Sequence, residues 1–323
     1  MTFDSIIGHE PQKNILRRAL QNNRVAHAYL FEGPDGIGKR LVALALARAL
    51  LCDSGRGCGV CPTCRKVDHN NHPDIHLLDA EGAAIKIDQI RTLQQQLSLK
   101  PLEGEYKICL IDGAHHLNPA AANALLKTLE EPQPNTLIIL LSSQPEALLI
   151  TIRSRCQRLP FKRLPKQRLT EILADRLDLQ ETEAAVLAAL SEGSFKKALG
   201  QNRELYLERR REILRNLMAL SSGSIIPLFK LADELAADKD HLVEILEILQ
   251  AFYRDLLLLK HGRPEQELVN LDMKETLYRQ IMHETTPTLL KKLEALNAGR
   301  YHLQRNVNRQ LAMEIMLMTM TTA

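Results

Sequence analysis

The stretch Leu30-Phe31-Glu32-Gly33-Pro34-Asp35-Gly36-Ile37-Gly38-Lys39-Arg40 decides the fold. An apolar run, Ala28 to Phe31, leads into it and a run of helical spacing, Leu41 to Leu51, leads out, so a strand turns into a helix here. A phosphate-binding loop needs that context. Glycines let backbone N–H groups curl around a phosphate at a helix N-terminus, and a lysine adds positive charge where the terminal phosphates would lie. Gly33, Gly36, Gly38 and Lys39 are therefore candidate nucleotide-binding residues.

The next position departs from the phosphate-loop pattern, which has Ser or Thr there because the hydroxyl holds a Mg²⁺. Here it is Arg40. A guanidinium has no lone pair to offer a metal, and about 5 Å from an ion, at an effective dielectric near 20, its single charge costs roughly 3 kcal/mol. The expectation is that Arg40 points away and leaves the metal seat empty.

Outward from this loop, strands alternate with helices. Asp74 to Leu78 alternates like a strand, and Asp88 caps a helix through Leu99. Lys107 to Ile111 is a buried-strand run ending in Asp112, followed by Gly113 and a helix capped by Asn118 with Pro119 in its first turn. An acid at the end of such a strand is where a second Mg²⁺-organising residue sits in P-loop ATPases, so Asp112 joins the candidates. Hydrolysing members carry a Glu next to it to polarise water. Gly113 has no side chain to do this. Thr136 to Leu141 is a further strand with Ser142 and Ser143 at its end, Leu148 to Arg153 runs helically, and Gln157 to Phe161 closes the sheet. The pattern is that of an α/β layer with a parallel sheet.

From Pro165 onward strand signals vanish. Lys166 to Leu177, Glu181 to Leu190 and Ser194 to Asn202 read as a small three-helix unit, and everything after about Glu204 reads as helical. Within that stretch a helix over Thr288 to Leu296 is expected to break before another over Tyr301 to Met318. The expected domains are 1–163, 164–203 and 204–323.

The cysteines carry a separate signal. Four of six, Cys52, Cys58, Cys61 and Cys64, fall within a short glycine-rich insertion at 52–64. Reducing surroundings disfavour disulfides, and the Cys-x₂-Cys-x₂-Cys run with Cys52 can wrap one tetrahedral Zn²⁺. A closed shell of four thiolates leaves no position for water, so the ion would be structural. Cys109 and Cys156 sit in apolar strand patterns and read as core.

Composition limits the rest. At 323 residues, 45% hydrophobic and 25% charged, the chain is long enough for two or three globular domains. A net charge of +3, 4% aromatic residues and no Trp argue against sequence-specific reading of nucleic acid. The run Arg153, Arg155, Arg158, Lys162, Arg163, Lys166 and Arg168 would be the footprint of a DNA-binding alternative, but such runs are usually solvated faces. No stretch reaches the length of a membrane span or a signal peptide, and a cytoplasmic location is expected.

With these residues in view, the whole chain resembles the AAA+ clamp-loader subunits of bacterial DNA polymerase III. The motifs that carry the resemblance are Gly33 to Lys39, the Cys₄ insertion, Ala120-Ala121-Ala122-Asn123-Ala124-Leu125-Leu126-Lys127-Thr128-Leu129-Glu130-Glu131-Pro132, and Thr151-Ile152-Arg153-Ser154-Arg155-Cys156. The resemblance implies an AAA+ RecA-like domain, a three-helix lid and an all-α collar that serves oligomerisation. It implies partners in a hetero-oligomeric ring with gamma/tau and delta subunits, which use ATP to place a sliding clamp around primed DNA within the polymerase holoenzyme. In the family the Arg of the Ser-Arg-Cys motif reaches the ATP of the next subunit, which gives Arg155 the role of a finger in trans. Lys196, in Gly193-Ser194-Phe195-Lys196-Lys197, falls on the nucleotide-sensing helix of the lid, where hydrolysing members carry Arg. Arg40 and Gly113 separate this chain from the hydrolysing gamma/tau branch, which is the alternative reading. No ATPase activity of its own and weak ATP binding or none are expected.

Overall fold

The computed structural model describes residues 2–80, 84–191, 193–199, 205–220, 225–305 and 307–322, without the side chains of Phe195, Lys196 and Gln304. The chain divides into two compact units, Met1–Leu164 and Pro165–Ala323. The break falls one residue after the first expected boundary. The second expected boundary, at 203/204, lies outside the described residues, and the helices on its two sides belong to the same unit.

The first unit is built on five parallel strands, β1 (Ala28–Glu32), β2 (Ile75–Leu78), β3 (Lys107–Ile111), β4 (Thr136–Ser142) and β5 (Gln157–Pro160), in the order β2-β3-β4-β1-β5. Strands β1, β3 and β4 are buried throughout, as parallel strands covered on both faces must be. Because successive side chains point to opposite faces, each strand feeds two cores. Tyr29, Phe31, Ile108, Leu110, Ile139 and Leu141 face one way, against Leu16 of α1 (Glu10–Gln21), Val42 and Leu46 of α2 (Lys39–Leu51) and Val67 of α3 (Pro62–Asp68). Leu30, Cys109, Ile111, Ile138 and Leu140 face the other, against Ile90 and Leu93 of α4 (Ile87–Ser98), Leu125 of α5 (Pro119–Glu130) and Ile152 of α6 (Ile150–Arg153). The result is a helix–sheet–helix sandwich. Cys109 and Cys156 lie in the second of these cores, as read from their patterns.

One of the two helix caps read from the sequence changes. Helix α4 starts at Ile87 with Lys86 as its cap, and the side chain of Gln89 closes the turn by accepting from the Lys86 N–H at 2.9 Å. Asp88 is a first-turn acid instead of the cap, where it still complements the helix dipole. Asn118 does cap α5, its Oδ1 accepting from the Ala121 N–H at 2.8 Å.

The second unit is helical across its described residues. It starts with helices Lys166–Leu177, Glu181–Leu190 and Phe195–Leu199. A π-helical segment, Leu205–Arg209, runs into Arg210–Met218, followed by Ile225–Ala237, Leu242–Lys260, Lys274–Ile281, Thr286–Gln304 and Arg309–Thr322. Sequence patterning broke the last pair too early. Helix Thr286–Gln304 continues straight through Asn297-Ala298-Gly299, because Gly299 packs against the last helix, where an added Cβ would sit 3.1 Å from the Met316 sulfur. A contact between helices, invisible to local propensity, overrides the glycine.

Candidate functional site

All five strands run the same way, so the residues that follow them gather at one end of the sheet, with β1 placed between β4 and β5. That end is where parallel α/β sheets hold ligands. The Gly33 N–H donates to the Ser142 carbonyl at 3.1 Å, tying the loop after β1 to the end of β4. Gly33 has φ 144° and a Cβ there would lie 2.3 Å from the Phe161 carbonyl oxygen, so only glycine lets the loop pass β5's end. Gly36 and Gly38 also have positive φ, 74° and 107°. The N–H groups of Asp35, Gly36, Ile37 and Gly38 donate to no protein acceptor among the described residues. Such a curl of free amides at the start of α2 is the geometry of an anion nest.

Lys39 is 6% exposed and spans this loop. Its Nζ donates to the Gly33 carbonyl at 2.5 Å and the Pro34 carbonyl at 2.7 Å, with Asp35 at 3.7 Å. Burial pushes the ammonium below the usual lysine range, against the opposing pull of Asp35 and Asp112. His9 buttresses the loop from α1's N-terminus, its Nε2 lying 2.7 Å from the Ile37 carbonyl oxygen.

Arg40 corrects the sequence expectation. Instead of pointing away, its Nη1 donates to Asp112 Oδ2 at 3.2 Å and to Asp79 Oδ1 at 3.3 Å. Asp79 and Asp112 are the residues directly after β2 and β3. The acid expected to organise Mg²⁺ thus already serves a guanidinium that comes from the position of the missing hydroxyl. This donor set does not fit a divalent ion. Gly113 is more than a missing carboxylate, because its φ is +66°, a left-handed conformation that a Glu would adopt only with strain.

Sequence reasoning missed His115, Asp79 and Glu32. His115 lies across the end of β4, with Nδ1 3.4 Å from Ser142 Oγ and Nε2 3.3 Å from Ser143 Oγ. Burial and the neighbouring His116, whose ring centroid is 4.2 Å away, lower its pKa. Its placement two residues after Gly113, in the turn that follows Asp112, was the available signal. Glu32, the last residue of β1, takes Arg158 of β5, with Nη2 2.8 Å from Oε2.

Arg155 follows α6. Its Nη2 lies 2.6 Å from Glu130 Oε1 at the end of α5, and its Nη1 donates to the Thr151 carbonyl at 3.0 Å. Much of the basic run is thereby accounted for: Arg155 pairs with Glu130, Arg158 with Glu32 and Arg168 with Glu171, while Lys166 donates to the Leu268 carbonyl. Lys196 lies on the helix Phe195–Leu199 and its side chain is outside those described.

The four cysteines of the insertion converge. Their sulfurs all lie within 4.8 Å of one another. Three of the separations, Cys52–Cys58, Cys52–Cys61 and Cys58–Cys64, are 3.7, 3.8 and 3.9 Å. A tetrahedron with metal–sulfur bonds of about 2.3 Å has edges of about 3.8 Å, so the tetrad could hold one metal ion. Positive φ at Gly55, Gly57 and Gly59 bends the insertion into that shape. Backbone amides already point at the sulfurs: the Cys58 N–H reaches Cys52 Sγ and the Cys64 N–H reaches Cys61 Sγ, each at 3.4 Å. Burial works against the Cys52 thiolate, but the Ser54 hydroxyl and the Cys58 amide outweigh it and bring the thiol down to about 6. Burial pushes the Cys64 thiol up to about 12 beside its neighbours. One tetrad member is thus ready to bind as thiolate and another would need the ion to lose its proton.

No helix among the described residues is long and apolar enough to cross a membrane. The family model described as "DNA polymerase III, delta subunit" matches residues 8–165, and that described as "DNA polymerase III, delta subunit, C terminal" matches residues 204–322. The chain is 32% identical to the DNA polymerase III subunit delta' of Bacillus subtilis over 93% of its own length and 92% of that protein. It is also 32% identical to the subunit tau of Bacillus subtilis over 90% of its length, spanning about half, 52%, of that longer protein. With subunit tau of Escherichia coli the identity is 36% over 61% of this chain and 32% of that one. Among solved structures, a DNA polymerase III gamma subunit-related protein from Thermotoga maritima gives a TM-score of 0.49 at 19% identity, covering 96% of this chain and 99% of that one.

Proposed function

Since this chain belongs to the family of DNA polymerase III clamp-loader subunits, we propose that it is a delta-prime-type member: a subunit that does not hydrolyse ATP itself but completes a ring whose other subunits do. The observation that carries this reading is the Arg40–Asp112 pair beside Gly113. Hydrolysis in P-loop enzymes needs a metal held by a hydroxyl and an acid, and a residue that orients water. Here the hydroxyl is replaced by a cation, the acid is engaged by it, and the water-orienting position is a glycine in left-handed conformation.

In this reading Arg155 supplies positive charge to ATP on a neighbouring gamma/tau subunit, Zn²⁺ in the cysteine tetrad holds the insertion, and the region 204–323 forms a collar that joins partner subunits. The lid is residues 164–203. The ring, with gamma/tau and delta subunits, loads the sliding clamp onto primed DNA, and any contribution to polymerase activity comes through the holoenzyme. The zinc would supply only structure, since four thiolates leave it no open position.

The test is phosphate release by the purified chain, alone and mixed with gamma/tau and delta subunits. No turnover alone, with stimulation in the mixture, is the expected result. The second reading, a gamma/tau-type ATPase, is favoured by the intact Lys39 loop and by the tau relatives. Turnover by the chain alone that disappears in Lys39→Ala would establish it instead.

A further inference from the structure

Arg48 lies on α2 one turn before Cys52, whose amide donates to the Arg48 carbonyl at 2.9 Å. The residue is 2% exposed, and a guanidinium so far from water needs a partner for each of its nitrogens. Only Nη2 has one, pairing with Asp68 at the end of α3. Nε and Nη1 are buried and have no hydrogen-bond partner among the described residues. The cysteine insertion covers the stem, since a Cβ at Gly57 would lie 3.2 Å from both Cγ and Cδ of Arg48. Nε is bonded to that Cδ, so it sits against the loop between Cys52 and Cys58. Burial works against the Arg48 charge, and the tetrad cysteines, Cys64 foremost, are the groups that favour it.

We propose that Arg48 is the built-in counterion of the metal centre, a buried cation whose Nε and Nη1 hydrogens are kept for the thiolate sulfurs. A guanidinium has no lone pair and cannot itself bind the ion, and it stays charged at any working pH. Four thiolates around one divalent ion carry two negative charges in excess. Away from water that excess is costly unless a positive charge lies close by. Arg48 supplies one, and its two unused nitrogens are donors of the kind that make strong hydrogen bonds to anions. Asp68 holds Nη2 and so fixes the guanidinium without occupying the other two. A cation buried with idle donors would be a liability in an insertion that never took a metal. The inference rests on the zinc reading of the tetrad and deepens it by adding a residue that binds no metal yet sets how tightly the metal is held.

Zinc affinity of the full chain, measured by competition with a chromogenic chelator at neutral pH, tests it. Arg48→Met keeps the bulk of the stem and removes the charge. Its zinc affinity should fall roughly tenfold to a hundredfold, the range for residues that support metal ligands without touching the metal. Arg48→Lys restores a cation and should recover most of that loss. Asp68→Asn removes the ion pair but leaves the guanidinium charged, so it should hold zinc as tightly as the natural chain. Cobalt in place of zinc reports through its visible spectrum that all four sulfurs still coordinate in each variant, and circular dichroism checks the fold. Natural affinity in Arg48→Met, or no recovery in Arg48→Lys, would overturn the inference. So would a loss in Asp68→Asn as large as that in Arg48→Met, which would make Arg48 a structural partner of α3, and this arm decides even if Arg48→Met does not fold. A natural chain that binds no zinc would remove the zinc reading first and this inference with it.

Discussion

Arg155 is held by Glu130 of its own chain, Nη2 to Oε1 at 2.6 Å, with the Thr151 carbonyl taking a second nitrogen at 3.0 Å. The two side chains are 35% and 47% exposed, so water and salt screen the pair and it contributes about 1 kcal/mol or less. If Arg155 serves a neighbouring subunit's ATP as proposed, a contact this weak can be exchanged for a phosphate at little cost, and the pair would park the arginine at the end of α5 without committing it.

Arg155→Ala, mixed with partner subunits, should leave the ring assembled and remove hydrolysis at one adjacent ATP site. Arginine fingers contribute roughly a thousand- to a hundred-thousandfold in rate. The other sites should continue, so clamp loading falls more than bulk turnover. Full activity at that site would reject the role, and failure to assemble would make Arg155 an interface residue.

Glu130→Gln isolates the parking contact. The guanidinium keeps the Thr151 carbonyl but loses its charged partner, so stability should change by about 1 kcal/mol or less. ATPase of the assembled ring should be retained or raised. A fall as large as that of Arg155→Ala would mean that Glu130 positions the finger.

Cys61→Ser should release the metal and loosen the insertion. Cys61 is both a tetrad member and the cap of α3, its sulfur accepting from the Cys64 N–H. Metal analysis of protein purified without chelator should find one zinc per chain, and none firmly bound in the variant. Because thiolates must shed protons to bind, the natural chain should also lose its zinc as pH falls.

Asp74 gives the first unit a pH-dependent component. It is fully buried, and its two oxygens accept from the amides of Leu102, Glu103 and Gly104 at 2.7, 2.8 and 2.9 Å. Burial opposes its charge, but the three amides outweigh burial and hold its pKa below the ordinary 3.8. A depressed carboxylate stabilises fully above its unfolded pKa, and the contribution disappears as pH falls through the lower folded value. The natural chain should lose stability below about pH 4. Asp74→Ala should cost about 2 to 4 kcal/mol at neutral pH and flatten that acid limb in urea titrations.

Gly299 tests the helix pair of the second unit. Gly299→Leu forces atoms toward Met316 and should destabilise by about 1 to 3 kcal/mol. Gly299→Ala should be near neutral, the better helix propensity offsetting the 3.1 Å approach to a flexible sulfur. Thermal unfolding of the two variants gives the comparison.

The sequence by itself determined the order of the five strands, the glycine loop between β1 and α2 and the clustering of four cysteines, but not the short helix α3 (Pro62–Asp68) that the cysteine insertion runs into. Those features rest on spacing: short continuous apolar runs for the buried strands and apolar periods of 3.6 residues for the helices, glycines where φ must be positive, and thiols close together in the chain. What depended on residues far apart was decided only by the tertiary structure. Asp79 and Asp112 stand 39 and 72 positions from Arg40, and only the parallel sheet that carries both strand ends to the loop turns an apparently vacant metal seat into an ion pair. His115 across the two serines, Arg155 on Glu130 and the unbroken helix through Gly299 have the same origin. Each is set by a neighbour that only folding brings within reach, and at those points packing outweighs the few tenths of a kcal/mol by which local propensity distinguishes ordinary residues.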